Sequence, residues 1–363
     1  MSDNRRRYET IRDEMLNLYP GEPKGRLKQS LQVLAMFING IVGSQSTHNR
    51  NVAKKTPTGA KASSREQQLR RWYENKGTTY EMHMLPFVQD LLLNLTDYKL
   101  VFAIDGSGVG RGCVTLMVSL IYKKRAIPII WVVREGKKGH FPADMHVELL
   151  QNLQDILPEE ASVIILGDGE FDSVELQRFV NDAGWSYVVR TAKNTQICID
   201  GEWLPLDDTN NGRGSCIPVY DVMFTKEEYG PVLAIAWWRK EYAEPIYLVT
   251  NLELMEEACQ WYRKRMTIET FFSDQKSRGF RLDKSRISNP KRLFRVMIAA
   301  CLAYIWVIYL GVIGSQEPWR NQIHRPDRCD LSLFQLGLDL LEHFLNEDLP
   351  ILFGFRLPSC PPF

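Results

Sequence analysis

The sequence lacks the features that mark secreted, zinc-binding or repetitive proteins. Its seven cysteines are scattered and none forms a CxxC pair, which argues against both a disulfide framework and a zinc site. The N-terminal residues MSDNRRRYET carry charges without a following apolar run, so they do not resemble a secretory signal. No internal repeat or low-complexity tract is evident. These absences lead us to expect a globular protein of the reducing cytoplasm.

Long hydrophobic runs are also scarce. A single stretch, from Met297 to Ile313, resembles a membrane span, but it is slightly short for one and contains Cys, Tyr, Trp and Gly. We expect it to form a buried core helix. The chain has 363 residues, 44% hydrophobic and 25% charged, which is ordinary for a globular protein larger than one typical domain.

Positive charge is unevenly distributed, although the formal net charge is only +1. Residues 1–80 contain fifteen Lys and Arg against seven Asp and Glu, and residues 261–297 contain eleven against three. A polyanion such as DNA favours this distribution, because phosphate contacts supply most non-specific affinity. Solvated helix faces would produce similar clusters, so charge alone does not decide between the two interpretations.

The apolar patterning divides the chain into five segments. Residues 1–97 are predicted to form a helical DNA-binding module, although helices alone do not exclude a packing domain without a ligand. Residues 98–194 and 251–325 are predicted to form two parts of a catalytic core, separated by a β-strand insertion at 195–250, and 326–363 a C-terminal helical segment. The alternation of strands and helices predicts the α/β class, with a mixed sheet flanked by helices.

Two aspartates close predicted strands of this core. Asp105 ends VFAID and Asp168 ends VIILGD, so both carboxylates should lie at the carboxyl edge of the sheet, where functional sites collect. A single Asp in this position is often only a turn or cap residue. Glu170 and Asp172 are alternatives to Asp168, but we interpret them as a pair that starts the next helix. The two aspartates therefore need a third ligand.

Glu269 is the candidate third ligand. It is flanked by Ile268, Phe271 and Phe272 in a long predicted helix closed by Gly279, so this helix should pack on the sheet and direct Glu269 towards its edge. Magnesium prefers oxygen ligands, and two ions about 4 Å apart support phosphoryl transfer. Three carboxylates would suffice to hold them.

The same predicted helix presents Tyr262, Arg265, Glu269 and Lys276 at spacings of three, four and seven residues. Helical periodicity places these side chains on one face. A metal ligand beside cationic and phenolic donors suits an approaching DNA strand. The alternative is an ordinary solvated helix face.

The spacing Y-(2)-R-(3)-E-(6)-K, found in YRKRMTIETFFSDQK, resembles the signature of DDE transposases from bacterial insertion sequences, in the branch with a β insertion before the glutamate. The aspartates stand in FAIDGS and LGDGEFDS and the glutamate in TIETFF, in the family's order. The resemblance extends from about Gly25 to Asn346. It departs at Gly169, where Arg is common, and at Met266, where Trp is common.

This resemblance implies a ribonuclease-H-like core in which Asp105, Asp168 and Glu269 hold two Mg²⁺ ions, with Mn²⁺ as a possible substitute. The Tyr, Arg and Lys of the signature would grip the transposon end. It implies cut-and-paste transposition through strand nicking, hairpin formation and strand transfer. The implied partners are transposon-end inverted repeats, target DNA and a second copy of the chain in a synaptic homodimer. No membrane is implied, and the expected location is the nucleoid.

Three further residues are weaker candidates for DNA contact. Trp237 and Trp238 in AIAWWRK would stack on a base flipped out during hairpin formation, as aromatic residues do in related proteins, or would be core tryptophans. His140 lies beside two Lys in REGKKGHFPADMH and would contact a phosphate, cap a helix or face solvent.

Two other functions use the same residues. One is a ribonuclease-H-like nuclease without strand transfer, and the Tyr-Arg-Lys face together with the N-terminal helical module argues against it. The other is a domesticated, inactive DNA-binding protein, which would gain nothing from three carboxylates near phosphate. If the fold held the three acids far apart, the motif would be a chance match in an unrelated α/β protein.

Overall fold

The computed structural model describes residues 2–137, 141–325 and 330–358. Within these residues, one mixed sheet of ten strands carries helices on its flanks. The predicted α/β class with a helix-flanked mixed sheet is therefore confirmed.

The elements follow one another along the chain with few long connections. The helices are α1 (Asp3–Leu18), α2 (Gly25–Ser44), α3 (Asn49–Lys54), α4 (Ala62–Glu74), α5 (Tyr80–His83), α6 (Leu85–Leu93), α7 (Ala143–Gln154), α8 (Val174–Asp182), α9 (Met255–Arg265), α10 (Thr267–Gln275), α11 (Pro290–Gly314), α12 (Trp319–Ile323) and α13 (Leu333–Asn346). The strands are β1 (Leu100–Gly110), β2 (Cys113–Tyr122), β3 (Arg125–Glu135), β4 (Val163–Gly167), β5 (Ser186–Thr191), β6 (Gln196–Ile199), β7 (Glu202–Pro205), β8 (Cys216–Phe224), β9 (Tyr229–Trp237) and β10 (Ile246–Thr250).

The first five strands form one half of the sheet. β1, β2 and β3 are an antiparallel meander, whereas β4 lies parallel to β1 and β5 lies parallel to β4. Helix α7 connects β3 to β4, and α8 connects β4 to β5. The resulting order β3-β2-β1-β4-β5 brings the carboxyl ends of β1 and β4 to the same edge.

The predicted β insertion does not form a separate sheet. Its last strand, β10, pairs antiparallel with β5, and the sheet continues in the order β10-β9-β8-β6-β7. Pairing satisfies the backbone groups along the outer edge of β5, which would otherwise be a free strand edge. The insertion therefore extends the half of the sheet formed by β1 to β5 without a break.

Asp105 does not end its strand, so that detail of the prediction was wrong. Strand β1 runs on to Gly110 because it stays paired with β2 along this whole length. Its parallel pairing with β4, however, stops at Ala103. Asp105 thus lies just beyond the last β1–β4 pair, on the edge where Asp168 directly follows β4.

Two predicted helices are each divided in two. The helix from residue 255 breaks at Met266, where the backbone N–H of Glu269 donates to the Met266 carbonyl in a tighter, 3₁₀-like turn. It ends at Gln275, before the predicted closure at Gly279. Within the helical module predicted for residues 1–97, the apolar pattern after residue 80 predicts one helix, but the chain forms α5 and α6, which divide near Pro86, a residue without a backbone N–H.

The apolar stretch lies in α11, as predicted for a core helix. By length and composition α11 is able to cross a membrane, yet 89% of its most apolar part is buried inside the protein. It packs against α2, α13 and β3, so the N-terminal helices and the sheet share one hydrophobic core.

Some of the arginines of the two basic regions make hydrogen bonds within the fold. The Arg7 side chain is 5% exposed and its Nε donates to Asn39 Oδ1 at 2.8 Å. Arg295 donates to the carbonyl oxygens of Thr78 and Tyr73. Arg7 joins α1 to α2, and Arg295 joins α11 to the end of α4 and the segment that follows it, so part of the positive charge has a structural role.

Helices α11 and α13 approach each other so closely that glycine is required at the crossing. A Cβ atom at Gly337 would overlap the carbonyl oxygen of Val307, and one at Gly311 would overlap that of Leu333. Both obstacles are backbone atoms, which cannot move without shifting a helix.

We therefore expect Gly337→Ala to lower the free energy of unfolding by about 1–3 kcal/mol, the usual effect of overpacking a core. Urea unfolding followed by circular dichroism would measure the change. Gly59→Ala is the matched control, because a Cβ at Gly59 meets no atom within 4 Å. Equal stability of the two variants would contradict the close crossing.

Candidate active site

A cleft of about 590 Å³ opens at the sheet edge beyond β1 and β4. Carboxylates from three separate elements line it: Asp105 on β1, Asp168 after β4 and Glu269 on α10. Its other walls include Ser107, Phe141, Glu170, Phe272 and Lys276. The fold thus brings the three predicted acids to one cleft, although they are 164 residues apart in the chain from first to last.

Asp105 is largely buried, with its side chain 18% exposed. Its Oδ1 accepts a hydrogen bond of 2.7 Å from the backbone N–H of Gly106. Burial raises the pKa of Asp105 to about 6; the charge of Arg265 opposes this rise and that of Asp168 adds to it. The folded chain therefore holds this negative charge at an energetic cost.

Asp168 is fixed by the turn that follows β4. Its Oδ1 accepts the backbone N–H of Glu170 at 2.9 Å. Glu170 in turn accepts the backbone N–H of Phe141 at 2.6 Å and lies 3.6 Å from His146 Nε2, so it forms part of the cleft wall. Burial lowers the pKa of His146 to about 4, which keeps its ring neutral beneath this wall.

Asp172, the other alternative to Asp168, faces elsewhere. It accepts a hydrogen bond of 2.7 Å from the hydroxyl of Thr191, at the end of β5. Burial raises the pKa of its carboxyl, and the Thr191 hydroxyl opposes that rise. Asp172 ties the turn to β5, whereas Asp168 and Glu170 line the cleft.

Glu269 is the exposed member of the set, with 53% of its side chain accessible to solvent. The apolar neighbours Phe271 and Phe272 are buried and hold α10 against the sheet, as the sequence predicted. An ion pair of 2.8 Å between Arg125 on β3 and Asp274 on α10, both nearly buried, anchors the same helix. This packing turns Glu269 towards the edge of the sheet.

Arg265 lies between two of the carboxylates. Its guanidinium nitrogens are 3.7 Å from Asp105 Oδ2 and 3.6 Å from Glu269 Oε1. Over the described residues, no three His, Cys, Asp or Glu side chains are grouped so as to hold a metal ion. The guanidinium supplies the positive charge that the carboxylates would otherwise lack.

The donor chemistry of the cleft nevertheless fits a hard divalent cation. All three acids offer carboxylate oxygens, the ligands that Mg²⁺ and Mn²⁺ prefer. The raised pKa of Asp105 reflects a buried carboxylate beside other negative charges, and a cation would relieve both effects. Asp105, Asp168 and Glu269 are thus the residues that could hold such an ion.

The two remaining signature residues occupy different environments. Lys276 lines the cleft, and its Nζ donates to the hydroxyl of Ser107 on β1 at 2.5 Å. Tyr262 is only 6% exposed and lies beside Arg265, whose guanidinium carbon is 5.9 Å from the centre of its ring. The residues that spacing predicted on one helix face therefore differ in position: Lys276 lines the cleft, whereas Tyr262 is buried beside Arg265.

A second cleft, of about 640 Å³, adjoins the first and shares Asp168 with it, and Arg265 is among its lining residues. It lies where β5 meets the insertion, and Arg190, Lys193 and Trp238 are among its lining residues. The sequence analysis overlooked both cations. The signal was their position in VVRTAK at the carboxyl end of β5, the same edge on which the predicted aspartates lie.

The two candidate tryptophans differ in how deeply they are buried. Trp238 is half-buried and lines the second cleft, where its indole N–H donates to the carbonyl of Tyr242 at 3.2 Å. Trp237 is 6% exposed and packs edge-on against the Tyr242 ring, with 5.4 Å between ring centres. Of the two predicted roles, base stacking or core packing, the burial of Trp237 therefore favours core packing. His140 lies outside the described residues.

Comparison with solved structures finds remote similarities. A piggyBac transposase synaptic complex with hairpin DNA matches with 12% identity and a TM-score of 0.48, over 96% of this chain and 80% of that one. Human endonuclease V matches with 14% identity and a TM-score of 0.25, over 61% of this chain and 95% of that one. No curated protein matches the sequence significantly.

A protein-family model gives the decisive comparison. The model of the transposase DDE domain matches residues 97–306, a range that begins just before β1 and ends within α11. Asp105, Asp168 and Glu269 all fall inside this range. Because the match covers more than half of the 363 residues, this chain belongs to the family of proteins with a transposase DDE domain.

Proposed function

We propose that this protein is a cut-and-paste DNA transposase of a bacterial insertion sequence, of the branch with the Y-(2)-R-(3)-E-(6)-K signature. Asp105, Asp168 and Glu269 are its catalytic acids and hold two Mg²⁺ ions, with Mn²⁺ as a substitute. One observation carries the proposal: carboxylates from β1, from the end of β4 and from α10 line a single cleft. An oxygen-only donor set at a sheet edge suits metal-dependent phosphoryl transfer.

When bound, two divalent ions would activate the attacking oxygen and stabilise the leaving oxygen in each transfer. The protein itself would position the metal ligands and the DNA, and would balance the negative charge of the acids. Asp105 must be ionised to serve as a ligand, and Arg265 must release the carboxylates that it now contacts. Once released, Arg265 is well placed to pair with a DNA phosphate, because it lines the second cleft and lies beside Asp105 and Glu269 of the first.

The second cleft suits a distorted DNA strand beside the reacting acids. Arg190 and Lys193 would attract the phosphate backbone, while Trp238 offers an aromatic surface to an unstacked base. This arrangement supports a sequence in which one strand is nicked, the freed 3′ hydroxyl forms a hairpin, the hairpin reopens and the 3′ end joins target DNA. Tyr262, His140 and Lys276 are proposed as further DNA contacts.

Transposition requires two transposon ends to be brought together, so the proposed partners are the terminal inverted repeats, target DNA and a second copy of the chain. The proposed location is the nucleoid, without a membrane partner. A nuclease of the same fold would share the nicking step but would yield no joined product.

The first prediction concerns Glu269. We expect Glu269→Gln to reduce Mg²⁺-dependent nicking, hairpin formation and strand joining at least about 100-fold, because an amide is a poor ligand for a hard cation. The substrate is a duplex that carries the element's inverted repeat and its flank, and products are resolved on denaturing gels.

Glu256→Gln is the matched control, since Glu256 is an exposed acid in the first turn of the neighbouring α9. Full activity of the Glu269 variant would remove this residue from the site. Wild-type nicking without hairpin or joined products would favour the nuclease, and DNA binding without any cleavage would favour an inactive DNA-binding protein.

The second prediction concerns Asp105. Because folding raises its pKa from 3.8 to about 6, the stability linked to this group is greatest at low pH and is lost as pH rises towards 6. Asn mimics the neutral form, so Asp105→Asn should stabilise the metal-free protein by about 1–3 kcal/mol at pH 7.5.

Urea unfolding at pH 7.5 and at pH 4.5, with and without Mg²⁺, tests this second prediction. The gain should shrink at the lower pH, and Mg²⁺ should stabilise the wild type more than the variant. A variant that is less stable than wild type at pH 7.5 would show that Asp105 is not an unfavourably buried charge.

The third prediction separates the two tryptophans. Trp238→Ala should reduce hairpin yield about 10-fold or more while nicking persists, because loss of base stacking weakens only the distorted intermediate. Trp237→Ala should instead lower the melting temperature, because it removes a buried ring. Hairpin-to-nick ratios and melting curves on both variants would check this. Normal hairpin yield from Trp238→Ala would end the stacking proposal.

A further inference from the structure

We propose that Cys216 and Cys259 form a reversible disulfide that fastens the β insertion to helix α9, with a low-molecular-weight disulfide such as oxidised glutathione as the oxidant. This inference does not rest on the proposed DNA chemistry, because it concerns two thiols that line neither cleft.

The two sulfur atoms already lie in contact. Cys216 Sγ is 3.8 Å from Cys259 Sγ, although the residues are on β8 and α9 and 43 positions apart in the chain. A disulfide bond is roughly 2.05 Å long, so rotation about the side-chain bonds would need to shorten the distance between the two sulfur atoms by less than 2 Å. The thioether of Met255 lies 3.3 Å from Cys216 Sγ and completes a small sulfur-rich cluster.

Other cysteines of the described ranges have different surroundings. Cys113 Sγ donates to the carbonyl of Ser288, and Cys301 is buried within α11. Cys198 lies half-buried on β6. No thiol–thiol contact other than Cys216–Cys259 is seen among these residues.

The pair is asymmetric in the manner of an attacking and a resolving thiol. Cys216 is half-buried at the start of β8, whereas Cys259 is only 8% exposed. The hydrogen bond from the Cys259 thiol lowers the pKa of Cys216, and the same bond raises the pKa of Cys259. The reachable sulfur is therefore also the more nucleophilic one at neutral pH.

The chemistry is two successive thiol–disulfide exchanges. The Cys216 thiolate attacks one sulfur of oxidised glutathione, forms a mixed disulfide and releases a glutathione thiolate. Cys259, having lost its proton to solvent, attacks Cys216 Sγ and expels the second glutathione thiolate. Two protein thiols are thus oxidised to one disulfide, and one oxidised glutathione is reduced to two thiols.

The bond would join the two sides of the second cleft. Cys216 pairs across the sheet with Trp237, the neighbour of the cleft residue Trp238. Cys259 lies one turn before Tyr262 on the helix that ends with Arg265. Oxidation would therefore fix the separation between the insertion and the part of α9 that carries Arg265.

The test uses the full chain without DNA. Purified protein is equilibrated with oxidised glutathione, alkylated, digested and analysed by mass spectrometry, while free thiols are counted before and after. We expect loss of two thiols, a crosslinked peptide pair containing Cys216 and Cys259, and a melting temperature that rises by several degrees and returns on reduction.

Cys216→Ser should abolish both the crosslink and the rise in melting temperature, whereas Cys198→Ser and Met255→Leu should leave them unchanged. Cys259→Ser should trap a stable glutathione adduct on Cys216, because the thiol that resolves the mixed disulfide is then missing. Crosslinking of Cys216 to a different cysteine, or full retention of both thiols at high oxidant, would overturn the proposal.

Discussion

The site depends on how the mutual repulsion of three carboxylates that line one cleft is limited. Arg265 compensates part of this negative charge, because its almost fully buried guanidinium lies near both Asp105 and Glu269. The rise in the Asp105 pKa shows that the compensation is incomplete. Because the negative charge of the acids is not fully compensated, binding of a cation in the cleft would be favourable.

The position of Arg265 follows from packing at a distance from the cleft. The helix is interrupted at Met266, and α9 contacts β4 and β5 while α10 contacts β3 and β1. The Arg125–Asp274 ion pair secures the contact between α10 and β3. Arg265, the last residue of α9, therefore lies where these two sets of contacts meet.

The sequence was informative wherever local pattern and tertiary environment agreed. The apolar run before Asp168 predicts its strand and its edge, and the aromatic residues around Glu269 predict the helix that carries it. Asp105 was assigned to the correct edge although its strand continues, because pairing with β2 is a long-range property. Spacing places Arg265 on the same helix face as Glu269, but it does not predict that the guanidinium lies between two acids, because that contact depends on which elements become neighbours.

The continuous sheet has a mechanical consequence. β5 belongs to the core and β10 to the insertion, and the two are joined by a ladder of backbone hydrogen bonds instead of a flexible linker. The junction therefore lacks a hinge about which the insertion would swing. Under the proposed function, DNA that enters the second cleft would have to bend to fit this platform, so selection of DNA shape would rest on the deformability of the DNA and not on movement of the insertion.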